Sequence, residues 1–163
     1  YIYNDRMQVA AGVAGWDDCA LTVYATVVSR AGPDRGILDA GSKTLTSDTG
    51  GGLEGHGLIL EHPEARIARF AEEHGFLDLT RSNTRPSVGD IVRIVPNHVC
   101  VVVNMVDEVV MVRGDEILGT LSVAARGRLR YGLSILPEML ATESNVLPLP
   151  LGEGWGEGLR SLD

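Results

Sequence analysis

Short apolar runs rich in β-branched residues, separated by turn residues, constrain this chain more than any other feature. The clearest run, Ala20 to Ser29, ends before Gly32-Pro33-Asp34. β-Branched side chains favour strands because they pack well on a pleated surface, and Gly-Pro-Asp clusters end strands in turns. Val88 to Pro96 has the same character and predicts a turn followed by a strand.

Further along the chain, two apolar runs predict a hairpin. Val109 to Val112 and Glu116 to Ala124 flank Arg113-Gly114-Asp115, a hairpin turn sequence. Arg66 to Leu79 predicts two short strands, or one strand and a turn, because Gly75 interrupts its helical spacing. His98 to Met105 is continuously apolar, so periodicity leaves strand and short helix both open there. The fold class predicted is therefore mostly β: a single barrel-like or sandwich domain with short helical turns.

The end of the chain differs from the rest. Residues 1–136 carry the strand pattern, whereas residues 137–163 do not, and the stretch from Asn145 is rich in Pro and Gly with no period. Pro removes backbone donors and Gly adds entropy to the unfolded chain. We therefore expect a β domain over residues 1–136 and a disordered tail over residues 137–163.

Composition narrows the classes of function. The chain has 163 residues, enough for one domain, and a net charge of −8 that argues against binding to phosphate backbones. Its apolar runs are shorter than the roughly 18 residues that span a bilayer, so membrane insertion is not expected. Two cysteines do not make a disulfide framework, and the sequence predicts a cytoplasmic protein.

The sharpest chemical signal is the pair His98 and Cys100. If the backbone is extended there, the two side chains point to one side. Imidazole and thiolate together suit Zn²⁺. The alternative is a hydrogen-bonded histidine beside a buried cysteine, and the residues alone favour that alternative, because cysteine is among the most buried residue types.

Three further segments carry candidate polar groups. Asp39 and Asp48 bound a Gly- and Ser-containing stretch that follows a predicted strand, although both carboxylates also suit ordinary turn chemistry. Glu73 precedes His74 and could orient its ring, although a solvated surface turn explains the pair equally well. Lys43 is the only lysine in the chain, and an ordinary exposed lysine is favoured over a Schiff-base residue.

Several of these segments match one family in order and spacing. The chain resembles the C-terminal part of the D-threonine aldolase and D-serine dehydratase family, of the alanine-racemase fold type. The resemblance covers roughly residues 1–136. It rests on Tyr1-Ile2-Tyr3-Asn4-Asp5, Asp39-Ala40-Gly41-Ser42-Lys43, Glu73-His74-Gly75, Gly89-Asp90 and Val95-Pro96-Asn97-His98-Val99-Cys100.

The resemblance implies a division of labour. Members of the family join a (β/α)₈ barrel that binds pyridoxal phosphate (PLP) to a β domain that binds a divalent metal. The barrel and its lysine are not expected in this chain, and Lys43 does not match that lysine. The metal pair would be His98 and Cys100, with Zn²⁺ favoured over Mn²⁺. Asp39, Asp48, Glu73 and His74 are candidates to support those ligands.

The resemblance also implies an activity for a parent protein. That parent would be a PLP- and metal-dependent lyase, a homodimer that dehydrates D-serine or cleaves D-threonine, and the His-x-Cys pair favours the dehydratase branch. Whether this chain is itself an enzyme stays open. The alternative is a non-catalytic, stand-alone β module from a truncated gene.

Overall fold

The computed structural model describes residues 2–124 and 126–127. The expected disordered tail, residues 137–163, lies outside the described residues, as does the boundary predicted at residue 136. Within the described residues, none of the helices has the length and apolar character that crossing a membrane requires.

Six strands form one antiparallel sheet in the order β3-β6-β1-β2-β5-β4. Their bounds are β1 Val23–Ser29, β2 Arg35–Leu38, β3 Leu58–Ile59, β4 Arg66–Phe70, β5 Gly75–Asp78 and β6 Ile91–Val95. The strand predictions at residues 20–30 and 89–95 are confirmed as β1 and β6. Arg66 to Leu79 forms the two short strands β4 and β5, with Gly75 beginning the second.

The sheet curls until its edge strands β3 and β4 lie next to each other. The backbone N–H of His56, just before β3, donates to the carbonyl of Ile67 in β4 at 3.0 Å. The sheet is thus a nearly closed barrel, and of the two predicted forms, barrel-like and sandwich, the first is confirmed. Alternating residues fill its interior. The largest fully buried side chains of the sheet and its connections include Val27, Leu38, Ile59, Ile67, Leu79 and Ile94.

Short helices precede the first strand and connect later ones. α1 spans Arg6–Ala10, a 3₁₀ turn spans Trp16–Asp18, α2 spans Ser42–Leu45 and α3 spans Val99–Val103. The ambiguous run from His98 is therefore helical. Its apolar side chains do not alternate in a ladder: Val99 and Val102 are buried, as the spacing of one helix face requires.

The predicted hairpin is confirmed as β7 Glu108–Arg113 and β8 Glu116–Ser122. Its register pairs Val109 with Leu121 and Arg113 with Glu116, with a bulge after Met111. The two strands form a separate two-stranded sheet.

Candidate metal centre

His98 and Cys100 lie where β6 passes into α3. His98 is the N-cap of α3, with extended backbone (φ −139°, ψ 106°), and Cys100 is the second residue of the helix. The premise of a fully extended backbone from His98 to Cys100 is therefore wrong, since the chain turns into a helix at Val99. The His98 side chain is 18% exposed and Cys100 is half-buried.

The Nδ1 atom of His98 lies 2.7 Å from Oδ2 of Asp48, fifty residues earlier in the chain. Such a contact fixes which way an imidazole ring faces and which nitrogen carries its proton. The ring nitrogen on the other side, Nε2, is then the one that would coordinate a metal. The contact brings one of the predicted supporting residues to the predicted ligand pair.

A glycine-rich loop presents Asp48 to His98. The backbone N–H of Gly50 donates to Oδ1 of Asp48 at 2.7 Å. Gly50 has φ +59°, and a Cβ added there would come within 2.9 Å of the Met7 side chain, so this tight turn favours glycine. The Gly50 hydrogen bond, followed by the one to His98, holds the pKa of Asp48 below its usual range. Asp48 is thus presented as a carboxylate.

Asn97 holds the same loop against the barrel. Its side chain is almost fully buried. Its Nδ2 donates to the carbonyls of Asp48 at 3.2 Å and Gly55 at 2.9 Å, and its Oδ1 accepts from the N–H of Gly57 at 3.0 Å. Asn97 stood in the quoted motif, but no local pattern indicated these contacts, because its partners lie 40 or more residues away.

Asp5 is a second residue whose contacts the sequence analysis missed. Its carboxylate is fully buried and accepts from the N–H of Gln8 at 3.2 Å and of Val99 at 2.7 Å. The contact with Gln8 had a local signal, because Asp followed three residues later by Gln is typical of a helix N-terminus. The contact with Val99 spans 94 residues and has no local signal.

The other predicted supporting residues lie in other contacts. Asp39 is exposed, and its Oδ1 accepts from the N–H of Thr26 at 2.6 Å, which extends the pairing of β1 with β2. Glu73 is paired with Lys43 at 2.8 Å, and His74 is exposed in the β4–β5 turn.

Lys43 is an ordinary surface ion-pair partner in this structure. Its ammonium lies 2.9 Å from Glu72 and 2.8 Å from Glu73. The hydrogen bond to Glu73, with that to Glu72, raises the pKa of Lys43. Lys43 is therefore an exposed, ion-paired side chain, as the sequence predicts.

The side chains of His98 and Cys100 are donor types that suit a divalent metal of borderline softness. One imidazole, oriented by a carboxylate, and one thiol are the ligand types that Zn²⁺ prefers. Within residues 2–124 and 126–127, no cluster of three or more His, Cys, Asp or Glu side chains is placed to hold a metal. Protein donors from His98 and Cys100 alone would leave several coordination positions for other molecules.

A protein-family model matches the part of the chain that contains this candidate metal centre. Residues 20–112, more than half of the chain, match the model of the serine dehydratase domain. The chain belongs to the serine dehydratase domain family. The matched range includes Asp48, His98 and Cys100.

Relatives of this serine dehydratase domain fall into two kinds. An uncharacterised protein of Mycobacterium tuberculosis is 41% identical over 129 residues, which are 77% of this chain and 97% of that protein. A D-threonine aldolase from Arthrobacter sp is 33% identical over 71% of this chain but 31% of the enzyme. A D-serine dehydratase from Dictyostelium discoideum is 27% identical over 71% of this chain and 32% of the enzyme. The chain thus spans nearly the whole of one relative and about a third of the named enzymes.

Solved structures of enzymes are also matched over about a third of their length. The D-threonine aldolase of Filomicrobium marinum matches with a TM-score of 0.64 and 29% identity, over 78% of this chain and 35% of that enzyme. The D-threo-3-hydroxyaspartate dehydratase of Delftia sp. HT23 shares the fold, with a TM-score of 0.64 and 23% identity, over 74% of this chain and 36% of that chain. Two variants of a D-threo-3-hydroxyaspartate dehydratase also match: one replaces a histidine by alanine, the other a cysteine two positions later, in a metal-free form.

The serine dehydratase domain also has a surface cleft of about 360 Å³, whose lining does not include His98 or Cys100. Arg66 lies in its lining and pairs with Glu54 at 2.8 Å and with Asp78 at 2.7 Å. Arg66, Glu54 and Asp78 thus form a small ion-pair network in this cleft, as expected of a structural feature.

Proposed function

We propose that this chain supplies the metal-binding β domain of a PLP-dependent lyase that acts on D-3-hydroxy amino acids, by D-serine dehydration or D-threonine cleavage. The chain would be incomplete without a PLP-binding barrel domain. The observation that carries the proposal is the contact of Asp48 with Nδ1 of His98, two residues before Cys100. Family membership supplies the substrate class.

In this proposal His98 and Cys100 hold one divalent metal, with Zn²⁺ preferred over Mn²⁺ because a thiolate is a soft ligand. When bound, the metal would act as a Lewis acid on the 3-hydroxyl of the substrate. Asp48 orients the His98 ring through Nδ1, and Asn97 anchors the loop that carries Asp48. Two protein donors leave coordination positions for the substrate hydroxyl and water.

The spacing of two replaced residues in a neighbouring structure supports this ligand pair. In the D-threo-3-hydroxyaspartate dehydratase variants, the replaced histidine and cysteine are two positions apart, as His98 and Cys100 are here, and the cysteine variant is described as metal-free. The equal spacing supports His98 and Cys100 as the metal pair.

The partners follow from the length of the related enzymes. This chain covers about a third of each named enzyme. The remaining two-thirds leaves room for a PLP barrel, and we place the cofactor there because Lys43 does not fit it. In the complete enzyme, a cytoplasmic homodimer, the β domain would keep water from the barrel mouth, which PLP carbanion chemistry requires.

A second candidate function has its own support. The Mycobacterium tuberculosis relative consists almost wholly of this domain, since 97% of it is matched. A stand-alone β module without catalysis is therefore the alternative. An activity screen of the complete protein that contains this chain, with D-serine and D-threonine, separates the two: release of pyruvate or of glycine supports the lyase, and no turnover with PLP and Zn²⁺ present supports the module.

Metal binding by the chain itself is tested with Co²⁺, which reports on thiolate ligation through a charge-transfer absorption. We expect the band in the unaltered chain at millimolar Co²⁺ and its loss in Cys100→Ser. His98→Ala should weaken Co²⁺ binding by at least about tenfold, the scale of a lost first ligand or its support. Cys19→Ser is the matched control and should leave the band unchanged. An unaltered chain without the band would contradict the metal role.

A further inference from the structure

Asp5 touches both the start of the domain and the segment that carries the proposed ligands. Its Oδ1 accepts from the N–H of Gln8 in α1 at 3.2 Å, and its Oδ2 accepts from the N–H of Val99 in α3 at 2.7 Å. The first N–H groups of any helix lack partners inside that helix. One carboxylate therefore satisfies a donor at the N-termini of two helices that are far apart in sequence.

Val99 is the residue between His98 and Cys100. Fixing its N–H fixes the His98–Val99 peptide, which directly follows the first proposed ligand and begins α3. His98 has no side-chain hydrogen bond that caps α3. Asp5 thus does from a distance what the N-cap side chain commonly does locally, which leaves the imidazole of His98 for its contact with Asp48.

The neighbours of Asp5 hold the same segment. The backbone N–H groups of Arg6 and Met7 donate to the carbonyls of Pro96 at 3.1 Å and Asn97 at 3.2 Å. The Arg6 guanidinium also donates to Oδ1 of Asn97 at 2.9 Å. Residues 5–7 therefore hold residues 96–99 through hydrogen bonds from both backbone and side chains.

Because Asp5 is fully buried, its carboxylate needs hydrogen-bond donors inside the protein. A buried charge is tolerated only where hydrogen bonds replace its water, and Asp5 is fully inaccessible. The N–H groups of Gln8 and Val99 meet that need. A side chain with this requirement positions the peptide it contacts more tightly than a solvated cap would.

We propose that Asp5 is a positioning residue for the His98 and Cys100 metal pair, so that the opening segment of the domain sets how well the pair binds metal. This inference rests on the proposed metal role. It assigns to Asp5 a function beyond capping α1, and it links metal affinity to the point where the chain passes into this domain.

The test uses Asp5→Ser in the full chain, in a Cys19→Ser background so that Cys100 is the only thiol. Serine remains a good N-cap for α1. Its side chain is one carbon shorter and has a single oxygen, so it cannot accept from the Val99 N–H while it accepts from the Gln8 N–H. Asp18→Ser is the matched control, because Oδ2 of the exposed Asp18 accepts a backbone N–H from Gly15 at 2.8 Å without touching α3.

Two quantities are measured: the dissociation constant for Co²⁺ and the hydrogen-exchange rates of the Val99 and Cys100 amides. We expect Asp5→Ser to weaken Co²⁺ binding by about tenfold or more and to speed exchange at both amides, while Asp18→Ser changes neither. If Asp5→Ser does not fold, Asp5→Asn, which keeps the size of the side chain and one acceptor oxygen, replaces it with the same expectations.

The outcomes separate this inference from the proposed function. A folded Asp5 variant with unchanged Co²⁺ affinity and unchanged exchange overturns the positioning role. Equal weakening by Asp18→Ser also overturns it, because the loss would then follow general destabilisation. No Co²⁺ binding by the unaltered chain contradicts the proposed metal role, and in that case unchanged amide exchange in Asp5→Ser overturns the inference as well.

Discussion

The Pro96–Val99 segment and the β7–β8 hairpin lie within some ten residues of each other in sequence but are held by different interactions. The segment bonds to Asp5 and to Gly57, which are 94 and 40 residues away from their partners. The hairpin is held by its own ladder, from the pair Glu108 and Ser122 to the turn. Polar contacts distant in sequence fix the first region, and a local register fixes the second.

Burial follows the same contrast. Asn97 is 3% exposed, whereas Val110 and Ile117 on the hairpin are 60% and 71% exposed. A two-stranded hairpin is marginally stable by itself in water, so the stability of the described domain must come chiefly from the barrel. The candidate site therefore lies where packing is tight, whereas the exposed hairpin should tolerate substitutions more readily.

The largest expected effect comes from matched leucines in the two regions. Leu38 in the barrel is 0% exposed and Leu121 in the hairpin is 44% exposed. Leu38→Ala should lower the free energy of unfolding by about 2–5 kcal/mol, because it leaves a cavity. Leu121→Ala should lower it by less than about 1 kcal/mol. Urea unfolding followed by circular dichroism measures both, and equal losses would remove the contrast between barrel and hairpin.

A smaller effect is expected from matched asparagines at the two ends of α3. Asn97→Ala leaves the buried N–H of Gly57 and the carbonyls of Asp48 and Gly55 without their side-chain partner, and should destabilise by about 2–3 kcal/mol. Asn104→Ala changes an exposed side chain at the C-cap of α3 and should have little effect. Comparable unfolding midpoints for the two variants would show that Asn97 does not anchor the loop.

The smallest effect concerns acid stability. Hydrogen bonds from Thr80, followed by the contact with Arg66, lower the pKa of Asp78 to about 2. A carboxyl whose pKa is lower in the folded state stabilises the fold above its usual pKa, and that contribution disappears as the pH falls towards about 2. Because the Asp78 side chain is still partly exposed to solvent, the contribution is screened and small.

Asp78→Asn should therefore be less stable than the unaltered chain at neutral pH, and the difference should shrink below about pH 3. The matched change on the hairpin is Asp115→Asn in the exposed turn, which should change the thermal unfolding temperature little across this pH range. Thermal unfolding across this pH range decides the point: a difference for Asp78→Asn that grows in acid would reverse the sign of the argument.

Much of the fold followed from local pattern. The β-branched run at Ala20 to Ser29 and the Arg113-Gly114-Asp115 turn predicted β1 and the hairpin correctly, because alternation and turn chemistry act over a few residues. The continuous apolar run after His98 did not distinguish strand from helix. Its helical form removes the extended geometry from which the His98 and Cys100 pair was first argued.

The residues of the candidate site were likewise only partly predictable from the sequence. Asp39, Asp48, Glu73 and His74 had similar local sequence support, yet only Asp48 of these four has a described contact with His98 among residues 2–124 and 126–127. Asp39 completes strand pairing, and Glu73 pairs with Lys43. Sequence could nominate carboxylates near turns but could not rank them, because the partner of each lies far away in the chain.

By itself, the sequence determined the mostly β class, the hairpin and the family, since these depend on side-chain periodicity, turn residues and motif order. Only the tertiary structure decided that the sheet nearly closes, that Asp48 faces His98, that Asp5 holds the segment between β6 and α3, and that Asn97 in this segment holds the loop that carries Asp48. The physical reason is that a buried polar group must find a hydrogen-bond partner, and which partner it finds is fixed by the closure of the barrel.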